Sequence, residues 1–285
     1  MIAVCIVTYN QESFITQTIE SVLMQKCDET LRIYIGDDAS TDGTTAICKK
    51  FAQQDQRIVY VRREQNIGLV DNTIDLYQRI MLDGCEFTAM LDGDDYWIDS
   101  NKLQLQIDYL RTHPEIGLVH TAVYDDINGQ LIDLDSTHKP IGDLSLSYNY
   151  SGSDHTNCTV VFRTSLLQKN ELYAISAQHF IALDYILYGL FAQRTKFGYI
   201  YQHTAAWRNH HSVSRPNSIS THLRYYKYRI RAWHWLEQQY PGHFHFRWYK
   251  AIIWYSWQVI YAFIHFSKIY LRNFYILFAH SKKML

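Results

Sequence analysis

Three carboxylates stand within four residues in Asp92-Gly93-Asp94-Asp95, between Leu91 and Tyr96-Trp97. Like charges packed this closely cost free energy unless something positive sits among them. A hard divalent cation with oxygen ligands, Mg2+ or Mn2+, is the natural counter-ion, and such an ion also takes phosphate oxygens. Gly93 lets the backbone turn and come close to a ligand. The same residues also fit a solvated acidic turn, with Asp99 or Ser100 capping the next helix. Spacing alone does not separate the two.

The elements around this stretch narrow the choice. Glu86 to Leu91 reads as a short buried strand that delivers the acids. Ile2 to Val7 is a continuous apolar run, as expected of a parallel strand covered on both faces, and it ends in Thr8-Tyr9-Asn10. Phe14, Ile15, Ile19, Val22 and Leu23 then fall on one helical face. Leu31 to Gly36 is a second strand, ending in Asp37-Asp38-Ala39-Ser40-Thr41-Asp42-Gly43. A helix from Thr44 to Gln54, a strand from Arg57 to Val61, the turn Asn66-Ile67-Gly68 and a helix from Leu69 to Leu82 follow. This alternation implies an open parallel sheet with helices on both faces, which binds ligands at the carboxyl ends of its strands. Thr8-Tyr9-Asn10, Asp37-Asp38 and the acids from Asp92 to Asp95 should therefore share one crevice. No GxGxxG follows the first strand and no GxxxxGK[ST] occurs, so a glycine loop does not hold a diphosphate here. Tyr9 offers an aromatic face for a base, or packs under a loop. Asp38 offers an acceptor to a base or ribose, or makes an Asx-turn with Ser40.

The set Val7-Thr8-Tyr9-Asn10, Asp37-Asp38-Ala39-Ser40-Thr41-Asp42-Gly43-Thr44, Asn66-Ile67-Gly68 and Asp92-Gly93-Asp94-Asp95-Tyr96-Trp97, with Lys102-Leu103 after it, resembles the family 2 inverting glycosyltransferases. The resemblance covers residues 2 to 215 and implies the GT-A fold, an open, mostly parallel sheet flanked by helices. It further implies a nucleotide-sugar site holding Thr8, Tyr9, Asn10, Asp38, Asn66 and Gly68, with Tyr9 stacked on the nucleobase and Asp38 bonded to it. Asp92 would lie near the ribose. Asp94, helped by Asp95, would meet a divalent metal, Mn2+ or Mg2+. Leu69-Val70-Asp71-Asn72 departs from the pattern, which often has small residues and arginine before the asparagine.

Beyond Trp97, a helix is expected up to His113, stopped by Pro114, then a strand from Ile116 to Tyr124 with His120 in the core. Residues 128–156 read as a long polar loop on the acceptor side. Asn157 to Arg163 reads as a strand, with a helix from Leu166. Asp184 opens an apolar helix. The resemblance places the general base there, although an acid at a helix start can simply favour the dipole. Lys196 to Tyr201 reads as a strand, and Trp207-Arg208-Asn209-His210-His211-Ser212-Val213-Ser214 is similar to the family's aromatic-Arg-x-His segment. The resemblance implies a metal or diphosphate contact for His210, favoured by register over His211. Arg208 offers a forked cation to a phosphate or carboxylate.

The chain has 285 residues, 47% hydrophobic and 15% aromatic, enough for a full core. A net charge of -1 gives no overall attraction to nucleic acid. Five scattered cysteines without a CxxC suggest neither disulfides nor zinc, which fits a reducing cytoplasm. The absence of a basic n-region argues against a secretory signal, so the sequons at Asn149 and Asn157 read as chance matches. From His222 onward cations and aromatics crowd the chain and Glu237 is the only acid. Ala251 to Phe266 is too short to span a bilayer. It fits an interfacial helix at the inner face of the membrane, a helical cap or a homodimer surface. The expected division is a nucleotide-sugar-binding half (1–97), an acceptor-binding half (98–220) and a helical extension (221–285).

These parts imply an inverting, metal-dependent transfer of sugar from a nucleoside diphosphate donor, UDP the expected nucleotide, to a glycan or lipid-linked hydroxyl in cell-surface polysaccharide assembly. A nucleotidyltransferase that makes a nucleotide sugar is one alternative, but it needs a Gly-rich, basic first loop that Tyr9-Asn10-Gln11-Glu12 does not supply. A non-catalytic nucleotide-binding or membrane-docking module is the other.

Overall fold

The computed structural model describes residues 1–133, 157–208 and 219–243, with positions 253, 256, 257, 259 and 260. It falls into two compact units, Met1–Asn209 and His210–Leu285.

In the first unit, β1 (Ile2–Thr8) lies between β2 (Leu31–Asp37) and β4 (Phe87–Asp92) and is parallel to both. Every β1 residue is buried, as a strand covered on both faces requires. β3 (Ile58–Arg62) continues the sheet beyond β2. The register puts Thr8 beside Asp37 and Val7 beside Asp92, so the three strands end level and their acidic turns open at one edge. Three helices cross over between these strands, α1 (Ile15–Leu23), α2 (Thr44–Gln54) and α3 (Leu69–Leu82). α3 packs close because Gly36 has no side chain. A Cβ there would come within 2.7 Å of Asn72 Oδ1, and the Asn72 amide donates to the Gly36 carbonyl at 2.8 Å.

The rest of the sheet is mixed rather than mostly parallel. β5 (Tyr96–Trp97) leads into α4 (Lys102–Thr112) and then β6 (Ile116–Ile127), which turns back through a hairpin to β7 (Gln130–Asp133). Asn128 and Gly129 both have positive φ, 54° and 85°, the geometry of a tight turn that suits strand twist. Part of the expected polar loop is thus a hairpin, while 134–156 lie outside the described residues. β8 (Val161–Arg163) runs antiparallel to both β4 and β6, and β9 (Lys196–Arg208) is parallel to β6 and antiparallel to β5. The path is β3-β2-β1-β4-β8-β6-β9-β5.

Three expectations shift. Asn157–Thr159 is a 3-10 turn, and only Val161 onward joins the sheet. A second 3-10 turn at Thr164–Leu166 precedes α5 (Lys169–Ser176), which starts later than Leu166. β9 runs on to Arg208, so the Trp207-Arg208 pair ends a strand instead of sitting in a loop. α6 (Asp184–Phe191) has Asp184 as its first residue, and α7 (Ile219–Gln239) belongs to the second unit. All five cysteines are free thiols, and His120 is a core residue stacked at an angle on Tyr199.

Behind the acid turn, Lys102 is fully buried. Its ammonium lies 4.6 Å from the centre of the Trp97 ring and donates to Gln106 Oε1. Gln106 in turn donates to the Val119 and Thr159 carbonyls, at 3.0 and 2.8 Å. Burial pushes the Lys102 amine down to about 7. The folded chain then sheds this proton at lower pH than the unfolded chain. Between the two values the unfolded state binds more protons, and stability rises with pH. Chemical unfolding across that window should show the wild type gaining up to about 1.4 kcal/mol per pH unit relative to Lys102→Met. Parallel pH profiles for the two proteins would show that the lysine is not neutralised by burial.

Candidate functional site

The turns after β1 and β2 are stitched together. Asn10 and Ala39 both adopt left-handed backbone, φ 52° and 61°, a conformation L-residues hold only when neighbours fix it. The Asn10 amide N–H donates to Ser40 Oγ at 3.0 Å, and Asn10 Oδ1 accepts from the Thr41 N–H at 2.8 Å. Tyr9, just before Asn10, is 46% exposed. Asp37 is buried and accepts from the Ser40 N–H, Thr45 Oγ1 and Tyr60 OH. Burial works against its charge, but these hydrogen bonds outweigh burial and hold the carboxyl below its ordinary range. Asp38 is also buried. Its main-chain N–H bonds the Thr8 carbonyl, and its two oxygens take the N–H groups of Ile67 and Gly68, each at 2.8 Å. Asn66 donates to the Asp38 carbonyl at 3.3 Å. Thus Thr8, Asp38, Asn66 and Gly68 form one connected wall, and each Asp38 oxygen keeps a second lone pair.

The acid turn leans on this wall. The Gly93 N–H bonds the Val7 carbonyl at 2.9 Å. A Cβ on Gly93 would strike Gln11 Oε1 and come within 2.9 Å of Thr8 Oγ1, so only glycine fits. Thr18 on α1 donates toward the carbonyls of Gly93 and Asp95, at 2.9 and 2.7 Å, and fixes the turn from below. Asp92 and Asp94 are half-buried, while Asp95 is buried. Burial, then the charge of Asp94, pushes the Asp92 carboxyl up to about 7, with Asn157 opposing and Asp184 adding to the shift. Burial and the charges of Asp94 and Asp92 hold Asp95 well above the usual carboxylate range. Asp95 Oδ1 accepts the Arg208 N–H at 2.9 Å, whereas Oδ2 is buried with no hydrogen-bond partner among the described residues.

Asp184 comes from the other half of the sheet, as the first residue of α6. Its charge bears on Asp92 and on the Tyr188 phenol. Tyr188, one turn along α6, donates to Asn157 Oδ1 at 2.8 Å, and Asn157 Nδ2 points to Asp92 Oδ2 at 3.4 Å. Sequence reasoning gave Asn157 no part in the site, taking it as a chance sequon and as the first residue of a strand. The available signal was a polar residue just before the apolar run that joins β4.

Arg208 sits on the far side of the acid turn. Its guanidinium donates to the Asp94 carbonyl and to Gln17 Oε1, lies 3.9 Å from Asp126 Oδ2, and faces the Phe14 and Tyr96 rings. His210 and His211 lie outside the described residues.

No three His, Cys, Asp or Glu side chains close on one point among the described residues. Mg2+ and Mn2+ do not require that, since one or two carboxylates suffice when water and phosphate fill the other positions. The half-buried, mutually repelling oxygens of Asp92 and Asp94 are hard donors of this kind. Thr8 Oγ1 and Gln11 Oε1 beside them have no hydrogen-bond partner among the described residues. The donor set fits such an ion.

Comparison with known proteins places the chain. The glycosyl transferase family 2 model matches residues 3–170, more than half of the sequence. Against uncharacterized proteins of Mycobacterium tuberculosis and M. bovis the chain is 33% identical over 124 residues, which spans only 35% of their length. The dTDP-rhamnosyl transferase RfbG of Shigella flexneri is 26% identical over 227 residues, covering 76% of each chain. Among solved structures, S. aureus TarS in complex with UDP-GlcNAc gives a TM-score of 0.59 at 17% identity, over 81% of this chain and 66% of that one. Mannosyltransferase PcManGT from Pyrobaculum calidifontis, in complex with GDP-Man and Mn2+, gives 0.59 at 13% identity, over 99% and 79%. At such identities the structural likeness speaks to fold alone, the curled, helix-flanked sheet of GT-A glycosyltransferases. With its sequence match running through β1, the acid turn and β8, this chain belongs to glycosyl transferase family 2.

Proposed function

We propose that the chain transfers a sugar from a nucleoside diphosphate donor, UDP the expected nucleotide, to a hydroxyl of a glycan or lipid-linked acceptor, in cell-surface polysaccharide assembly. The observation that carries this reading is a hydrogen-bonded bridge: Tyr188, on the helix that Asp184 opens, donates to Asn157, and Asn157 reaches Asp92 at the end of β4. RfbG, TarS and PcManGT, whose names or bound ligands concern sugar transfer or nucleotide sugars, support it.

In this reading the base stacks on Tyr9 and Asp38 accepts from it, while Asn66 and Gly68 keep the wall in shape. Asp92 takes a ribose hydroxyl. Asp94, with Asp95 behind it, would hold Mn2+ or Mg2+. When bound, such an ion supplies Lewis acidity toward the departing diphosphate. The Asp184 carboxylate takes the proton from the acceptor hydroxyl. That oxygen bonds to the anomeric carbon as the bond from carbon to the diphosphate oxygen breaks on the opposite side, and configuration inverts.

Membrane contact is part of the proposal. Arg224, Lys227 and Arg231 are exposed at i, i+3 and i+7 on α7, and Ile253, Trp257 and Ile260 are exposed at helical spacing. Exposed cations and a separate exposed apolar, Trp-bearing stretch are groups that suit anionic lipid headgroups at a cytoplasmic surface. No helix among the described residues is long and apolar enough to cross a membrane. A second copy of the chain on the same face is the competing occupant.

Three measurements test this reading. Asp184→Asn should lower transfer at least about 100-fold while donor affinity stays near normal; normal turnover would remove Asp184 from the role of base. Asp94→Asn should lose Mn2+-dependent donor binding in calorimetry, and unchanged affinity would reject it as a ligand. Vesicles containing phosphatidylserine should float the full chain but not a chain lacking residues 245–285. Equal flotation of both would count against lipid docking through that segment.

A further inference from the structure

Arg208 has the right chemistry for a diphosphate, and both arms of its fork are taken by acceptors within the fold. One arm of the guanidinium donates to the main-chain carbonyl of Asp94, and the other to Gln17 Oε1 on α1. Its Nε faces Asp126 at 3.9 Å. Asp126 is itself fixed, accepting the Gly129 N–H at 2.7 Å and the Tyr96 hydroxyl at 3.0 Å. The guanidinium carbon lies 5.0 Å from the centre of the Phe14 ring and 4.5 Å from that of Tyr96. The Arg208 main-chain N–H bonds Asp95 Oδ1. The residue therefore grips both Asp94 and Asp95, one through the side chain and one through the backbone.

We propose that Arg208 is a positioning residue. It clamps the Asp94 peptide so that the Asp94 carboxylate faces the crevice, and touches neither metal nor diphosphate itself. The clamp completes the fixing of the turn. Val7 and Thr18 hold the main chain of Gly93 and Asp95, Arg208 holds the Asp94 carbonyl between them, and an acid whose peptide can swing does not hold an ion at a fixed point. A planar fork seated against two rings is pre-organised for the task, whereas a lysine could reach one acceptor but not two in fixed relation. The proposal rests on Asp94 being the ion's ligand.

The test is calorimetric titration of UDP into wild type, Arg208→Lys and Gln17→Ala, each in Mn2+ and in EDTA, with melting temperatures recorded for all three. Gln17 is exposed on α1, so its truncation keeps the fold while removing one arm of the clamp. Arg208→Lys should weaken UDP binding in Mn2+ by about tenfold or more and leave binding in EDTA unchanged. Gln17→Ala should shift the same quantity in the same direction by less. Equal losses with and without Mn2+ would mean that Arg208 meets the diphosphate directly, and overturn the proposal. So would unchanged affinity in both variants. A wild type that shows no Mn2+-dependent UDP binding would instead sink the donor-and-metal reading, and the clamp's purpose with it.

Discussion

Three like charges on one short turn repel, and the chain holds them in place by packing and main-chain hydrogen bonds. Gly93 lies against Thr8 and Gln11 too closely for any side chain. Thr18 ties the turn's carbonyls to α1, and Arg208 ties its other side to β9. The residual cost appears in the acids themselves. Asp92 is pushed up to about 7 and Asp95 well above the carboxylate range, both first through burial and then through their neighbours. A site that keeps carboxyls so reluctant to ionise is poised for a positive charge, because only such a partner lets all of them be carboxylates together.

The two halves of the sheet divide the work. β1, β2 and β4 end level because their register is parallel, which brings the tyrosine turn, the Asp37-Asp38 pair and the acid turn together. A purely parallel continuation would put its own strand ends there and nothing more. Instead β8 enters antiparallel beside β4, so that the turn preceding it, with Asn157, sits at the acid end, and α6 follows with Asp184. β9 then returns parallel to β6 and carries Arg208 back to the same turn. The change of strand direction is what lets residues more than sixty positions apart meet.

The first half was legible in the sequence because its signals are local. Apolar runs of six or seven residues, helical periodicity and acidic turns fix β1 to β4 and α1 to α3, and α3 begins and ends at the residues the pattern indicates. The second half was less legible because its strands are set by pairing partners. Val161–Arg163 is a strand where β4 and β6 pair with it, and Asn157–Thr159, read as the start of the same strand, form a 3-10 turn whose Cys158 and Thr159 carbonyls accept from Trp97 and Gln106. The Asn128-Gly129 pair is a strong hairpin signal that a reading of the region as one polar loop passed over. Among site residues, Thr8, Asp38 and the acid turn stood out by motif. Gln17, Phe14 and Asp126 did not, since their part is to seat one arginine, and no spacing rule joins positions so far apart.

Asn157 shows how narrow the chemistry of the centre is. Its amide gives a donor to Asp92 and an acceptor to the Tyr188 hydroxyl, so it joins the acid turn to the helix of Asp184 without adding charge. Aspartate in its place would bring a further negative group to a region where Asp92 already ionises with difficulty, and its oxygens would have no proton to offer Asp92. Serine would be too short to bridge both neighbours. An amide thus supplies, in one uncharged group, both the donor and the acceptor by which the acid turn and the helix opened by Asp184 are joined.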